Sequence, residues 1–197
     1  MDSLPQIDLD VSVCRACPLS QSRTTPVSGE GPESAPMMFI GEAPGFNEDK
    51  LGRPFVGAAG QVLDSLLTSV GLSRENVFIT NTVKCRPANN RDPLPNEIAS
   101  CRNFLDRQIG LIAPKVIVTL GRHALASFLP GQTIGKAHGK SRDINGTTLF
   151  PMYHPAAALH QGNLRTVIQE DMKKLAQLII KESGNEYEEN GEQIRLF

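Results

Sequence analysis

Four cysteines carry the clearest chemical pattern in this 197-residue chain. Cys14 and Cys17 form a C-x2-C pair near the N-terminus; Cys85 and Cys101 follow at wide spacing. Thiolates are soft ligands that suit zinc or iron–sulfur clusters. A structural zinc site usually pairs two C-x2-C knuckles. Here the second pair is split between a loop and an expected helix, a layout that a rigid four-iron cube accommodates more readily than a zinc ribbon does. The pattern therefore favours a metal centre over unliganded core thiols, and [4Fe–4S] over zinc.

A second group of residues clusters after expected strands. Gly41-Glu42-Ala43-Pro44-Gly45 is a tight turn bearing a carboxylate, and its glycines permit close backbone approach to a flat ligand. The loop Gly52–Gly57 contains Phe55, an aromatic suited to stacking on a base. Asn81 ends a strand, and its amide both donates and accepts, which suits the edge of a nucleobase. His154 follows another strand and precedes Pro155, which restricts it to extended backbone. Taken singly, each has an ordinary structural explanation: a turn, a core ring, a cap, a buried histidine. Their convergence on one sheet edge is what points to a site.

The elements that must position these residues alternate. Met37–Ile40, Val77–Thr80, Val116–Leu120 and Thr147–Met152 read as strands. Helical spacing appears in Val62, Leu63, Leu66, Leu67 and Val70, stopped by Gly71, and again in Ile98, Cys101, Leu105 and Ile112 after Pro95. A short helix is expected around His123–Leu129, and a last one carries Leu164, Val167, Ile168, Leu175, Leu178 and Ile179. Residues 18–36 read as a long loop. This β-α alternation predicts an α/β fold: a three-layer α/β/α sandwich around a central, mostly parallel, four-stranded sheet. Ligands in such folds sit beyond the carboxyl ends of the strands. One domain is expected over residues 1–183, with 184–197 a polar, flexible tail.

Composition narrows the class. Twenty Lys and Arg against 21 Asp and Glu give a net charge of -1, so a globally basic nucleic-acid binder is excluded, although a local basic patch is not. No apolar run is long enough to span a bilayer, and the acidic start MDSLPQIDLD lacks the regions of a signal peptide. A reducing, cytoplasmic location is the resulting expectation, where cysteines serve as metal ligands more often than as disulfides.

From about residue 11 to residue 181 the chain resembles the family-4, iron–sulfur uracil-DNA glycosylases. CRAC, GEAPG, EDKLGRPFVGAAG, ITNTVKCRP, Cys101 on its helix and YHPAAAL carry the resemblance. It implies a [4Fe–4S] cluster on Cys14, Cys17, Cys85 and Cys101, and uracil-containing DNA as partner of a monomeric enzyme. Glu42 would orient the attacking water or stabilise the sugar cation. The Glu42–Gly45 turn, including Ala43, would contact uracil, and Glu48 would exclude the thymine methyl. Phe55 would stack on the base, Asn81 would read its pairing edge, and His154 would stabilise the uracil oxygen that gains charge. The target base must be flipped out to be reached. For phosphates, the basic loop Lys136, Lys140 and Arg142 is the first candidate, with Lys84, Arg86 and Arg91 second; Leu159 is a candidate wedge into the vacated stack.

The chain departs from the better-known uracil glycosylases in two places. Ala43 stands where they carry an Asp, and Ala156 where His-Pro-Ser is common. A strong general base and a serine contact to phosphate are thus missing. A related branch crosslinks to uracil through a loop histidine, but Lys84–Pro95 contains none, which predicts turnover without an adduct. A non-catalytic nucleic-acid-binding module with a structural iron–sulfur centre, which predicts affinity without base release, and a cluster-based electron carrier are the rival readings. The carrier needs no Glu42, Asn81 and His154 converging at strand ends.

Overall fold

The structure is a computed structural model and describes residues 2–190. Its sheet has five strands: β1 (Met37–Gly41), β2 (Phe78–Asn81), β3 (Val116–Leu120), β4 (Arg142–Ile144) and β5 (Thr147–Met152), in the order β2-β1-β3-β5-β4. The strands β2, β1, β3 and β5 are parallel; β4 pairs antiparallel with β5. The α/β reading with a mostly parallel sheet holds, but the expected count of four strands is corrected to five. The added strand is an edge hairpin turned by Asn145 and Gly146, both at positive φ (54° and 84°). Asn-Gly is the sequence signal for such a turn, and it stood unread because β4 is short, exposed and polar.

The parallel strands are buried on both faces, so their side chains divide by period two. Met37 and Phe39 of β1 point to one cluster with Leu63, Leu67, Ile168, Met172 and Leu175. These belong to α4 (Ala58–Ser69) and α9 (Gly162–Asn190). Met38 and Ile40 point to the other cluster, with Leu105 and Ile112 of α5 (Pro95–Ile112) and Ala124 of α6 (Arg122–Ala126). Truncating a ring such as the fully buried Phe39 would cost about 3–5 kcal/mol.

Helix α1 (Leu4–Val13), capped by the Ser3 hydroxyl, packs on α5 and was not expected. Its amphipathic signal is weak, and only Ile7 and Val11 are buried. The expected loop over residues 18–36 contains one helical turn, α2 (Leu19–Ser22). Helix α3 (Phe46–Leu51) follows the β1 turn; α7 (Ile134–Ala137) and α8 (Ala157–His160) are single turns. Helix α9 continues to Asn190, through the first residues of the expected tail; 191–197 lie outside the described residues. Among the described residues, no helix is long and apolar enough to cross a membrane.

Chain order reverses between β1 and β3, since β2 lies on one side of β1 and β3 on the other. Such a switch point opens a crevice at the carboxyl ends of the strands. Glu42 leaves β1 there and His123 leaves β3 on the opposite wall, their Oε2 and Nε2 atoms 3.8 Å apart.

Candidate active site

A cavity of about 370 Å³ opens at this edge, and Glu42, Ala43, Gly45, Glu48, Phe55, Asn81 and His154 all line it. Every position expected to meet the base thus falls on one pocket. Pro87, Asn90 and Arg91, from the loop between β2 and α5, complete its wall.

The floor is set by strand pairing. Gly41 and Asn81 are register partners at the ends of β1 and β2. Pairing continues beyond them, because Thr82 N–H donates to Gly41 O (3.0 Å) and Val83 N–H to Glu42 O (3.1 Å). The Thr82 hydroxyl also donates to Glu42 O (2.6 Å). The backbone of Glu42 is therefore fixed while its carboxylate faces the crevice. Gly41 has a steric reason to lack a side chain. A Cβ there would overlap Asn81 Oδ1 and reach the Phe55 ring at 2.7 Å.

Phe55 is 5 % exposed and lies against His154, ring centroids 5.6 Å apart and planes within 28°. Its backbone is left-handed (φ 51°), which costs a non-glycine residue about 1–2 kcal/mol. Glu48 secures the far side of this bend, its Oε1 accepting from Val56 N–H and Gly57 N–H at 2.8 Å each. Gly57 is the N-cap of α4, so the carboxylate also faces the positive end of a helix. Glu48 was expected only as a steric guard against a methyl group. The structure gives its carboxylate a second duty, holding the Phe55 loop.

His154 has a defined tautomer. Its Nδ1 accepts from Ala156 N–H (3.2 Å), so in the neutral ring the proton sits on Nε2. Burial lowers its pKa to about 4, because desolvation penalises the imidazolium. At neutral pH the ring is an uncharged donor. The Ala156 position, which lacks the common serine hydroxyl, contributes instead through its amide.

Glu42 behaves in the opposite sense. Burial raises its pKa above the ordinary carboxylate value, and the nearby His123 works against that rise. His123 Nε2 also lies 3.1 Å from Asp92 Oδ2, and Arg122 Nη2 pairs with that same oxygen at 2.6 Å. The ligand atoms of Glu42, Asp92 and His123 lie within 4.8 Å of one another. Arg122 Nε donates to His123 Nε2 at 2.8 Å, so a guanidinium already occupies the place a cation would need. Gly121-Arg122-His123 follows β3 at this sheet edge, and nothing in its local spacing links it to Asp92.

The four cysteines also come together. All line one small cavity with Arg23, Lys84 and Phe104, and all four thiols are free. Helix α5 positions Cys101. It starts with Glu97 Oε2 accepting from Leu94 N–H (2.7 Å) and Arg91 paired to that carboxylate. Arg23 Nη1 donates to Cys85 Sγ (3.1 Å), and Lys84 N–H to Cys101 Sγ (3.2 Å). Donors aimed at sulfur suit anionic thiolates. Without a ligand, burial raises the Cys85 pKa and pushes Cys101 to about 11. Four thiols with donors aimed at two of them are a ligand set that suits a thiolate-bound metal centre, zinc or iron–sulfur.

The expected phosphate contacts divide. Lys84 is removed from the list: it is 1 % exposed, and its Nζ donates to Thr80 Oγ1 (2.6 Å), Asn81 O (2.9 Å) and Gln108 Oε1 (2.7 Å). It joins the Asn81 end of β2 to the cysteine segment. Arg91 is tied to Glu97, and Arg86 lies over the Phe46 ring at 5.1 Å. The basic stretch is less a loop than expected. Lys136 sits in α7, with its carbonyl accepting from Lys140 Nζ (3.0 Å), and Arg142 opens β4. Leu159, in α8 shortly after His154, is 48 % exposed.

Comparisons with known proteins show the family. Residues 28–176 match the model of the uracil DNA glycosylase superfamily. A type-4 uracil-DNA glycosylase of Sulfurisphaera tokodaii is 51% identical over 193 residues, covering 91% of this chain and 86% of that protein. One from Archaeoglobus fulgidus is 45% identical, covering 90% and 94%. A type-5 uracil-DNA glycosylase of Pyrobaculum aerophilum is 30% identical over 149 residues, covering 66% of each. The chain belongs to the uracil DNA glycosylase superfamily, and within it to the type-4 uracil-DNA glycosylases.

Proposed function

We propose that the chain excises uracil from DNA by hydrolysing the N-glycosidic bond, with Glu42 and His154 as its catalytic residues. The observation that carries this reading is the meeting of Glu42, Phe55, Asn81 and a neutral His154 on one pocket. The base flips out of the stack and lies against Phe55. Asn81 pairs with its Watson–Crick edge. As the N1–C1′ bond breaks, its electron pair stays on uracil and positive charge develops on deoxyribose. The Nε2–H of His154 stabilises the oxygen gaining negative charge, more in the transition state than in the ground state. The Glu42 carboxylate stabilises the sugar cation and orients the water that adds to C1′. Uracil takes up a proton, and an abasic site with a C1′ hydroxyl remains. With Ala43 beside it, Glu42 has no neighbouring Asp to share this work.

Cys14, Cys17, Cys85 and Cys101 would hold a [4Fe–4S] cluster, whose chemistry here is to cross-link. It would tie the N-terminal segment to β2 and α5, a few residues from Asn81. Lys136, Lys140 and Arg142 serve as phosphate contacts, and Leu159 as the wedge. Residues 1–183 form the glycosylase domain, which works in the cytoplasm as a monomer.

Incubating the cluster-loaded protein with a uracil-containing oligonucleotide, then alkali, is the direct test. Strand cleavage at uracil, and none at thymine or cytosine, is the expected outcome. An intact strand would sink the proposal.

A further inference from the structure

The Phe55 ring meets His154 only because its backbone bends through the left-handed region. Glu48 secures the amides that follow this bend. Something must also hold the carbonyls before it. Arg74, in a single helical turn (Arg74–Asn76) ahead of β2, does this from outside the pocket. Its Nη1 donates to Pro54 O (2.9 Å) and its Nη2 to Phe55 O. Its Nε is fixed to Asp64 Oδ1 of α4 at 2.7 Å, and Glu30 Oε1 lies 3.8 Å from Nη1. A planar fork anchored at one edge presents its two remaining donors to adjacent carbonyls in a fixed geometry. Gly60 packs against the same carbonyl, since a Cβ there would overlap Phe55 O.

We propose that Arg74 is a positioning residue for the reaction: by holding the Pro54 and Phe55 carbonyls, it keeps the Phe55 ring stacked where the flipped base binds. The inference rests on the reading that Phe55 stacks on uracil. Arg74 is not part of the pocket lining, so an effect on the reaction would pass through the Pro54–Phe55 backbone it holds. That sets it apart from a residue that merely stabilises the fold.

The test is a double-mutant cycle on the cluster-loaded protein, measuring kcat/KM on a uracil-containing oligonucleotide. Arg74→Gln is expected to lower it about 10-fold, within the range of directly coupled pairs. In a Phe55→Ala background the same substitution should cost about 2-fold or less, the spread of independent sites. Equal losses in both backgrounds would overturn the inference while leaving the base-stacking reading intact. A Phe55→Ala variant as active as the parent would overturn that reading instead. The inference is then decided by histidine NMR. With Phe55 released, water reaches His154, and its titration should move up from about 4 towards the ordinary value of about 6.5. An unmoved His154 titration in Arg74→Gln would contradict it. Should Arg74→Gln not fold, Asp64→Asn loosens the guanidinium without removing it. It should show the same pattern, about 3-fold in the parent background and about 2-fold or less with Phe55→Ala.

Discussion

Asn81 and Cys85 stand close together in the chain, and each belongs to a site built on different terms. The base pocket is held by the protein's own hydrogen bonds: strand pairing fixes Glu42, an amide fixes the His154 tautomer, and Glu48 fixes the Phe55 loop. The cysteine centre is not self-sufficient. Its thiols are free, and burial raises the pKa of Cys85 and Cys101. The first arrangement is held by the fold itself; on the proposed reading the second becomes a cross-link when a cluster binds the four thiols. Buried Lys84 joins the two, with its side chain on Asn81 O and its amide on Cys101 Sγ.

That contrast breaks most visibly at the cysteines. Cys101→Ala should lose iron and sulfide on analysis and fall by more than about 4 kcal/mol in stability, as loss of a structural metal does. At about 2–4 °C per kcal/mol for a chain of this size, the melting temperature drops by roughly 10 °C or more. Retained iron with an unchanged melting point would remove the cross-linking role. On the pocket side, His154→Ala should leave DNA affinity nearly intact while lowering kcat by about 10²–10³-fold, the usual cost of one transition-state donor. Equal losses in affinity and turnover would make His154 a positioning group.

Asn81→Ala is a smaller change and sharpens the comparison at its boundary. Discrimination between uracil and cytosine should shrink by about 1–3 kcal/mol, the penalty of an unpaired buried polar group, while the iron content stays full. Loss of iron in this variant would mean that the two sites are not separable. The smallest effect is expected at Arg23, which donates to Cys85 Sγ and to the carbonyls of Val11, Ser12 and Cys14. Arg23→Gln should cost about 1.5 kcal/mol, the lower end for a charge-assisted bond, and speed iron loss to a chelator. Unchanged iron retention would place Arg23 outside the centre's support.

Much of this architecture is legible in the residues, and the gaps have physical causes. Strands β1, β3 and β5 announce themselves because both faces are apolar. Strand β4 does not, since its residues are exposed and its signal lies in the Asn145-Gly146 turn. The pocket residues follow from their places after strands. Their supports do not: Arg74 reaches Pro54 and Phe55 across about twenty positions, a relation that no local spacing encodes. Lys84 shows the converse. A lysine beside arginines reads as a surface cation, yet three acceptors from Thr80, Asn81 and Gln108 bury it, and its pKa falls to about 8.

The pH dependence joins these points. His154 stays neutral in the folded protein down to about pH 4, whereas in the unfolded chain it protonates near 6.5. Its neutral burial therefore costs stability progressively as pH falls from about 6.5 to about 4, while its donor role is unchanged above that window. Glu42 is raised above the ordinary carboxylate value by burial, and in the proposed mechanism it acts as the ionised carboxylate. The most direct measurement is single-turnover uracil release against pH for the parent, Glu42→Gln and His154→Ala proteins. The account predicts an acid limb in the parent, shifted up from the ordinary carboxylate value, preserved in His154→Ala and absent from the slower Glu42→Gln. An acid limb that survives in Glu42→Gln and disappears in His154→Ala would contradict it.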